Sequence, residues 1–85
     1  MNREQIKEEL IKIIDPYIQE KELLKDISES SNLINDLQIN SAHIVDIVLD
    51  IEEKYDIMID DDAIAQMNTV GESIDVILEK QAEAS

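Results

Sequence analysis

The stretch Asn35-Asp36-Leu37-Gln38-Ile39-Asn40-Ser41-Ala42-His43-Ile44-Val45-Asp46 passes from a polar turn into a helical repeat and sets the frame for the rest of the chain. From Ser41 to Tyr55 the apolar spacing is that of a helix. At 100° per residue counted from Ser41, Ile44, Val48, Ile51 and Tyr55 fall at about 300°, 340°, 280° and 320°, a narrow stripe that predicts a core face. Asp46, Asp50 and Glu53 fall at about 140°, 180° and 120°, so the opposite face is anionic. Between them lie Ala42, Val45 and Leu49, at about 100°, 40° and 80°, which a core centred at about 310° does not cover. That apolar flank is expected at the surface.

Upstream, Ile6, Leu10, Ile13, Ile14 and Tyr17 recur at helical spacing, opposed by Arg3, Lys7, Glu8 and Lys12. Asn2 with Gln5 three residues later fits a capping box. Pro16 disfavours helical geometry at Asp15, so the regular helix is expected to end near Ile14, with room for a short extra turn begun by Asp15 and Pro16. Residues 15 to 40 then form a long connection. Leu33 and Leu37 are its expected anchors, and Ser28-Glu29-Ser30-Ser31-Asn32 its expected mobile portion.

Downstream, Asp56-Ile57-Met58-Ile59-Asp60 alternates, but one short strand without a partner is not a stable element; a loop with Ile57 and Ile59 buried is expected instead. Asp60, Asp61 or Asp62 can cap a short helix through Ala63, Ile64 and Met67. Thr69 with Glu72 forms a second capping box, followed by Val70, Ile74, Ile77 and Leu78 on one face. This last helix is expected to reach about Gln81, with Ala82 to Ser85 frayed.

Composition agrees with that pattern. The chain has 85 residues, one Gly, one Pro, no Cys and only two aromatic side chains, Tyr17 and Tyr55, so its core must be aliphatic and unassisted by disulfides or thiolate metal sites. The fold class expected is all-α, a small antiparallel four-helix bundle with a long loop between helices one and two, in a single domain over 1–85. Against 7 basic side chains stand 21 acidic ones, a formal net charge of -14. Such a surface opposes binding to nucleic acid or an anionic membrane and favours partners with basic patches. No apolar run approaches a membrane span and the first residues lack a continuous apolar segment, so cytoplasmic residence is expected.

Ser41, His43 and Asp46 superficially suggest a nucleophile, base and orienter. On a helix, residues i and i+2 stand about 200° apart, so His43 cannot activate Ser41 and no catalytic residue is assigned. Asp60-Asp61-Asp62 lacks the alternating ligands, central Gly and distal Glu of a calcium loop, and helix capping explains it; no metal site is assigned. Asn40 and Ser41 could serve only as a helix cap. The same geometry has a functional use, because a phosphodiester on Ser41 would sit at a helix amino terminus, where free amides and the dipole stabilise an anion.

Here the chain resembles the acyl carrier protein family. The resemblance rests on Asp36-Leu37, Ser41, Ile44-Val45-Asp46-Ile47-Val48-Leu49, Ile51-Glu52-Glu53-Lys54-Tyr55-Asp56-Ile57 and Asn68-Thr69-Val70-Gly71-Glu72-Ser73-Ile74-Asp75. Without a gap from Asp36 to Ile77, these follow the family's Asp-Leu-Gly-x-Asp-Ser-Leu motif, acidic-apolar helix and Thr-Val-Gly helix start. The resemblance implies that Ser41 receives 4'-phosphopantetheine from coenzyme A through a phosphopantetheinyl transferase. It also implies that acyl groups travel as thioesters on that arm, so the chain is a carrier and not an enzyme. Implied partners are acyl-chain synthase, reductase, dehydratase or acyltransferase enzymes with basic docking patches, met by a monomer. By position, Asp46, Glu52 and Glu53 would pair with their Arg and Lys, and Ala42, Val45 and Leu49 would supply apolar contact, the flank that the helical angles also single out.

The chain departs from the motif at Gln38 in place of Gly, Asn40 in place of Asp, Ala42 in place of Leu, and His43 where a carboxylate is common. Replacing isobutyl by methyl removes up to about 2 kcal/mol of burial in a complex, enough to alter partner choice. A preserved scaffold with an altered motif points to a specialised carrier for a secondary-lipid, polyene or polyketide pathway. Two alternatives are a peptidyl or aminoacyl carrier, told apart by its native load, and an unloaded acidic interaction module, which predicts an unmodified Ser41.

Overall fold

The computed structural model describes residues 2–84 and shows four α-helices: α1 Arg3–Ile14, α2 Ile44–Tyr55, α3 Asp61–Ala65 and α4 Val70–Ala84. The two capping boxes read from sequence set the starts of the longest-range pair. Asn2 accepts the Gln5 amide at 2.9 Å while the Gln5 side chain receives the Asn2 N–H at 3.2 Å. Thr69 and Glu72 make the same reciprocal pair, each at 3.1 Å. Orphan donors at both helix starts are thereby satisfied.

α1 buries Ile6, Leu10 and Ile14, ends where Pro16 requires, and passes through a 3₁₀ turn, Asp15–Tyr17, to buried Ile18. It packs against α4 and α2, and α2 also packs against α4. α2 contributes Ile47, Val48 and Ile51 to the core. Ile47 widens the core face beyond the stripe drawn from sequence, whereas Ile44 and Tyr55, at the ends of that stripe, are only half-buried. Two neighbouring helices cover a broader arc of α2 than one would. Tyr55 instead uses its hydroxyl, donating to Glu9 at 2.7 Å; burial, then the Glu9 carboxylate, holds that hydroxyl well above the ordinary tyrosine range.

The connection from α1 to α2 packs through its own apolar residues. Leu33, Leu37 and Ile39 are buried, and a second 3₁₀ turn, Lys21–Asp26, lays Leu23 and Leu24 half-buried against the core. The stretch expected to be mobile, Ser28–Asn32, is instead stitched to the start of α4. Val70 donates its amide to Ser31 O at 3.0 Å, Gly71 donates to Glu29 O at 2.8 Å, and Asn32 forms an isolated antiparallel bridge with Thr69. Ser31 itself is buried.

Between α2 and α3 the alternating stretch is a loop, with Ile57 and Ile59 buried and Met58 at the surface. Asp60 caps α3 by accepting the Ala63 amide at 2.8 Å. α3 ends at Ala65, short of the expected Met67, which is nonetheless buried. α4 runs through Ala82 and Glu83 as far as Ala84, beyond the expected end at Gln81; Ser85 lies outside the described residues. No helix among the described residues is long and apolar enough to cross a membrane.

Candidate functional site

The serine turn is built from its anchors upward. Asn32 accepts the amides of Ile34 and Asn35 at 2.9 and 2.8 Å, while Asp36 accepts the Asn32 amide at 2.7 Å, closing a tight polar loop. Leu37 and Ile39 then plunge into the core, leaving Gln38, Asn40 and Ser41 outside. Gln38 takes φ 57°, the left-handed region that favours glycine, so the position needs the backbone freedom that this chain's Gln lacks.

Ser41 opens a 3₁₀ turn, Ser41–His43, that leads directly into α2; the helix read from sequence to begin at Ser41 thus starts as a tighter turn. Asn40 caps it, its side-chain oxygen accepting the Ala42 amide at 2.9 Å and its carbonyl the His43 amide at 2.9 Å. Ser41 is exposed, and its hydroxyl makes no hydrogen bond among the described residues.

His43 faces elsewhere. Its ring lies 5.3 Å from that of Tyr17, and Nδ1 is 3.6 Å from an Asp46 oxygen. Tyr17 in turn donates to Asp50 at 3.2 Å; partial burial, and then the Asp50 charge, raise its hydroxyl above the ordinary range. These contacts fasten the end of the first helical segment to α2 and bring no base to Ser41. No group of three or more His, Cys, Asp or Glu side chains among the described residues could hold a metal.

The flank singled out by helical angles is exposed: Ala42 at the turn, then Val45 and Leu49 at 57% and 54%. Asp46 and Glu53 are exposed beside it. Glu52 is half-buried and accepts the Ile59 amide at 2.8 Å, so one oxygen is occupied in holding the loop after α2. That contact spans seven residues and leaves no local sequence signal.

Residues 19–77 match the family described as "Phosphopantetheine attachment site". The chain is 32% identical over 77 residues to the acyl carrier protein of Coprothermobacter proteolyticus, covering 91% of this chain and 92% of that one. It is 43% identical over 54 residues to the acyl carrier protein of Picosynechococcus sp., covering 64% and 67%. Among solved structures, that of the acyl carrier protein from Enterococcus faecalis superposes with a TM-score of 0.76 at 25% identity, over 94% of this chain and 99% of the other. The family implies a transferase and partner biosynthetic enzymes. The chain belongs to the acyl carrier protein family, carriers that work through a covalently attached 4'-phosphopantetheine.

Proposed function

We propose that Ser41 is the attachment residue and that the chain, a single cytoplasmic domain acting as a monomer without catalysis of its own, presents acyl groups to enzymes of fatty acid, polyene or polyketide-type biosynthesis. The observation that carries this reading is the Ser41 hydroxyl, exposed and without a hydrogen-bond partner among the described residues, at a capped helix start. A serine serving only as a cap would donate or accept within its own turn; here Asn40 does that work and leaves Ser41 free to react. The residues present therefore fit the group. When attached, the arm supplies a terminal thiol that bears acyl groups as thioesters. Asn40 fixes the turn, the amino end of the helical segment favours the phosphodiester charge, and Leu37 and Ile39 hold the whole loop to the core.

In this reading Ala42, Val45 and Leu49 form the apolar contact for partner enzymes, with Asp46, Glu52 and Glu53 as the anionic one. Gln38, Asn40, Ala42 and His43 mark the carrier as specialised, because they alter the turn and the first contact without disturbing the scaffold. Incubation with coenzyme A and a broad phosphopantetheinyl transferase is expected to add the mass of one phosphopantetheine to the intact protein and nothing to Ser41→Ala. An unchanged wild-type mass, or an equal gain by Ser41→Ala, would refute the assignment.

A further inference from the structure

Ser41, Ala42 and His43 form the serine turn. Among the described residues, His43 alone of the three reaches another part of the chain through a side-chain hydrogen bond, ion pair or ring contact. Its ring lies 5.3 Å from the Tyr17 ring, tilted by 42°, while Nδ1 stands 3.6 Å from Asp46. The Tyr17 hydroxyl passes further along and donates to Asp50 at 3.2 Å. His43 and Asp50 are seven positions apart, so they share one helix face at a separation of about 10 Å along the axis. Tyr17 therefore spans the join between the serine turn and α2, its ring on the turn and its hydroxyl on the helix.

That span has a firm mount. Pro16 fixes the backbone just before Tyr17, and Ile14 and Ile18 are buried on either side. Lys21 ties the mount down by donating to the Asp15 carbonyl at 2.6 Å and carboxylate at 2.8 Å. What Tyr17 does to His43 reaches Ser41 through the backbone, since the Ile44 amide donates to Ser41 O and the His43 amide to Asn40 O. A 3₁₀ turn has poorer hydrogen-bond geometry than the α-helix it enters, so the backbone alone fixes the direction of the serine weakly at this join.

We infer that Tyr17 is a positioning residue for the modification of Ser41: by bridging His43 and Asp50 it holds the serine turn at a set angle to α2. The inference rests on the carrier reading above. In the transfer, the Ser41 oxygen bonds to the phosphorus of coenzyme A that bears the pantetheine, and the bond from that phosphorus to the bridging pyrophosphate oxygen breaks. Adenosine 3',5'-bisphosphate leaves with the electron pair, and a base on the transferase takes the hydroxyl proton. Approach of the oxygen to phosphorus is sensitive to a displacement of about 1 Å, so a loosened turn slows this step while the exposed face of α2 is left as it was.

The test uses the full chain, coenzyme A and a purified phosphopantetheinyl transferase. Tyr17→Leu keeps an apolar side chain over the core and removes both contacts; it is expected to lower kcat for Ser41 loading about five- to tenfold, with KM for the carrier within about twofold. Tyr17→Phe keeps the ring against His43, the contact that reaches the turn, and is expected to hold kcat within about twofold. His43→Ala removes the other side of that contact, and the double variant should be no slower than the slower single one, because a shared contact is lost only once. In the unmodified protein, amide exchange at Ala42 and His43 should quicken in Tyr17→Leu, while that at Val48 and Ile51 stays the same. Unimpaired loading of Tyr17→Leu, a risen KM with kcat unchanged, additive losses in the double variant, Tyr17→Phe as slow as Tyr17→Leu, or faster exchange throughout α2 would each overturn the inference while the carrier reading stands. Should Tyr17→Leu fail to fold, His43→Ala decides: a matching fall in kcat supports the positioning role and an unchanged kcat overturns it. Absence of loading in the unsubstituted protein removes the carrier reading and the inference with it.

Discussion

Asn40 accepts the Ala42 amide through its side-chain oxygen at 2.9 Å and so closes the turn that carries Ser41. Removing that acceptor leaves a helix-start donor unpaired. Asn40→Ala is expected to lower stability by about 1 kcal/mol in urea unfolding, whereas Asn40→Asp keeps the cap and stays within about 0.5 kcal/mol of wild type.

Gln38 holds a backbone conformation that an L side chain resists. The steric cost is about 1–2 kcal/mol, and the greater freedom of glycine in the unfolded chain returns less than that. Because the Gln38 side chain is exposed, little packing is lost with it. Gln38→Gly is expected to raise stability by about 0.5–1 kcal/mol, measured by urea unfolding at constant slope.

Gly71 poses the opposite case. A Cβ there would meet Glu29 O at 3.0 Å and Glu29 Cβ at 3.1 Å, and the carbonyl cannot retreat without stretching the 2.8 Å bond it receives from the Gly71 amide. Alanine's helical preference is worth about 1 kcal/mol, and the overlap outweighs it. Gly71→Ala is expected to destabilise the protein by about 1–2 kcal/mol and to increase amide exchange at Gly71's neighbours Val70 and Ser31.

Arg3 donates to Glu29 at 2.8 Å, to Asp75 at 2.6 Å and to Gly71 O at 3.2 Å, joining α1, the connection and α4. The guanidinium hydrogen bond holds the Glu29 carboxyl below its ordinary 4.5, against a smaller opposing effect of burial. A depressed carboxyl contributes stability above its unfolded value and loses it as pH falls through the folded one. The melting-temperature gap between wild type and Arg3→Gln should therefore be widest near neutrality and narrow as pH drops below 4.5. A gap that stayed constant on acidification would contradict this.

What the sequence made legible was local. Asn2 with Gln5 and Thr69 with Glu72 are reciprocal pairs three residues apart, so those two starts could be read, while the third was narrowed to Asp60, Asp61 or Asp62, of which Asp60 is the cap. The exposure of Val45 and Leu49 followed from one helix's own geometry. What escaped depends on partners far along the chain. Ser28 to Asn32 looks like a free polar run until Val70 and Gly71 donate to it, and Glu52 looks like a solvated charge until the loop returns Ile59 to it. Ile47, at about 240° on the same wheel, joins the core because two other helices flank α2. At the candidate site, Ser41 and its flank stand out as motif and periodicity, whereas the left-handed backbone at Gln38 and the engagement of Asp46 and Asp50 arise only in the folded chain.

The packing of α1 on α4 places Arg3 against a residue 72 positions later. Nor does the serine turn stand alone, for its anchor Leu33 donates its amide to Asn68 O and Ser31 receives the amide of Val70. The first helix thus finds part of its wall in α2, but the rest of that wall and the outer frame of the serine turn come only with α4 and the residues just before it. Completion of the serine turn is thereby coupled to contacts far along the chain, and its final shape waits on the docking of α4.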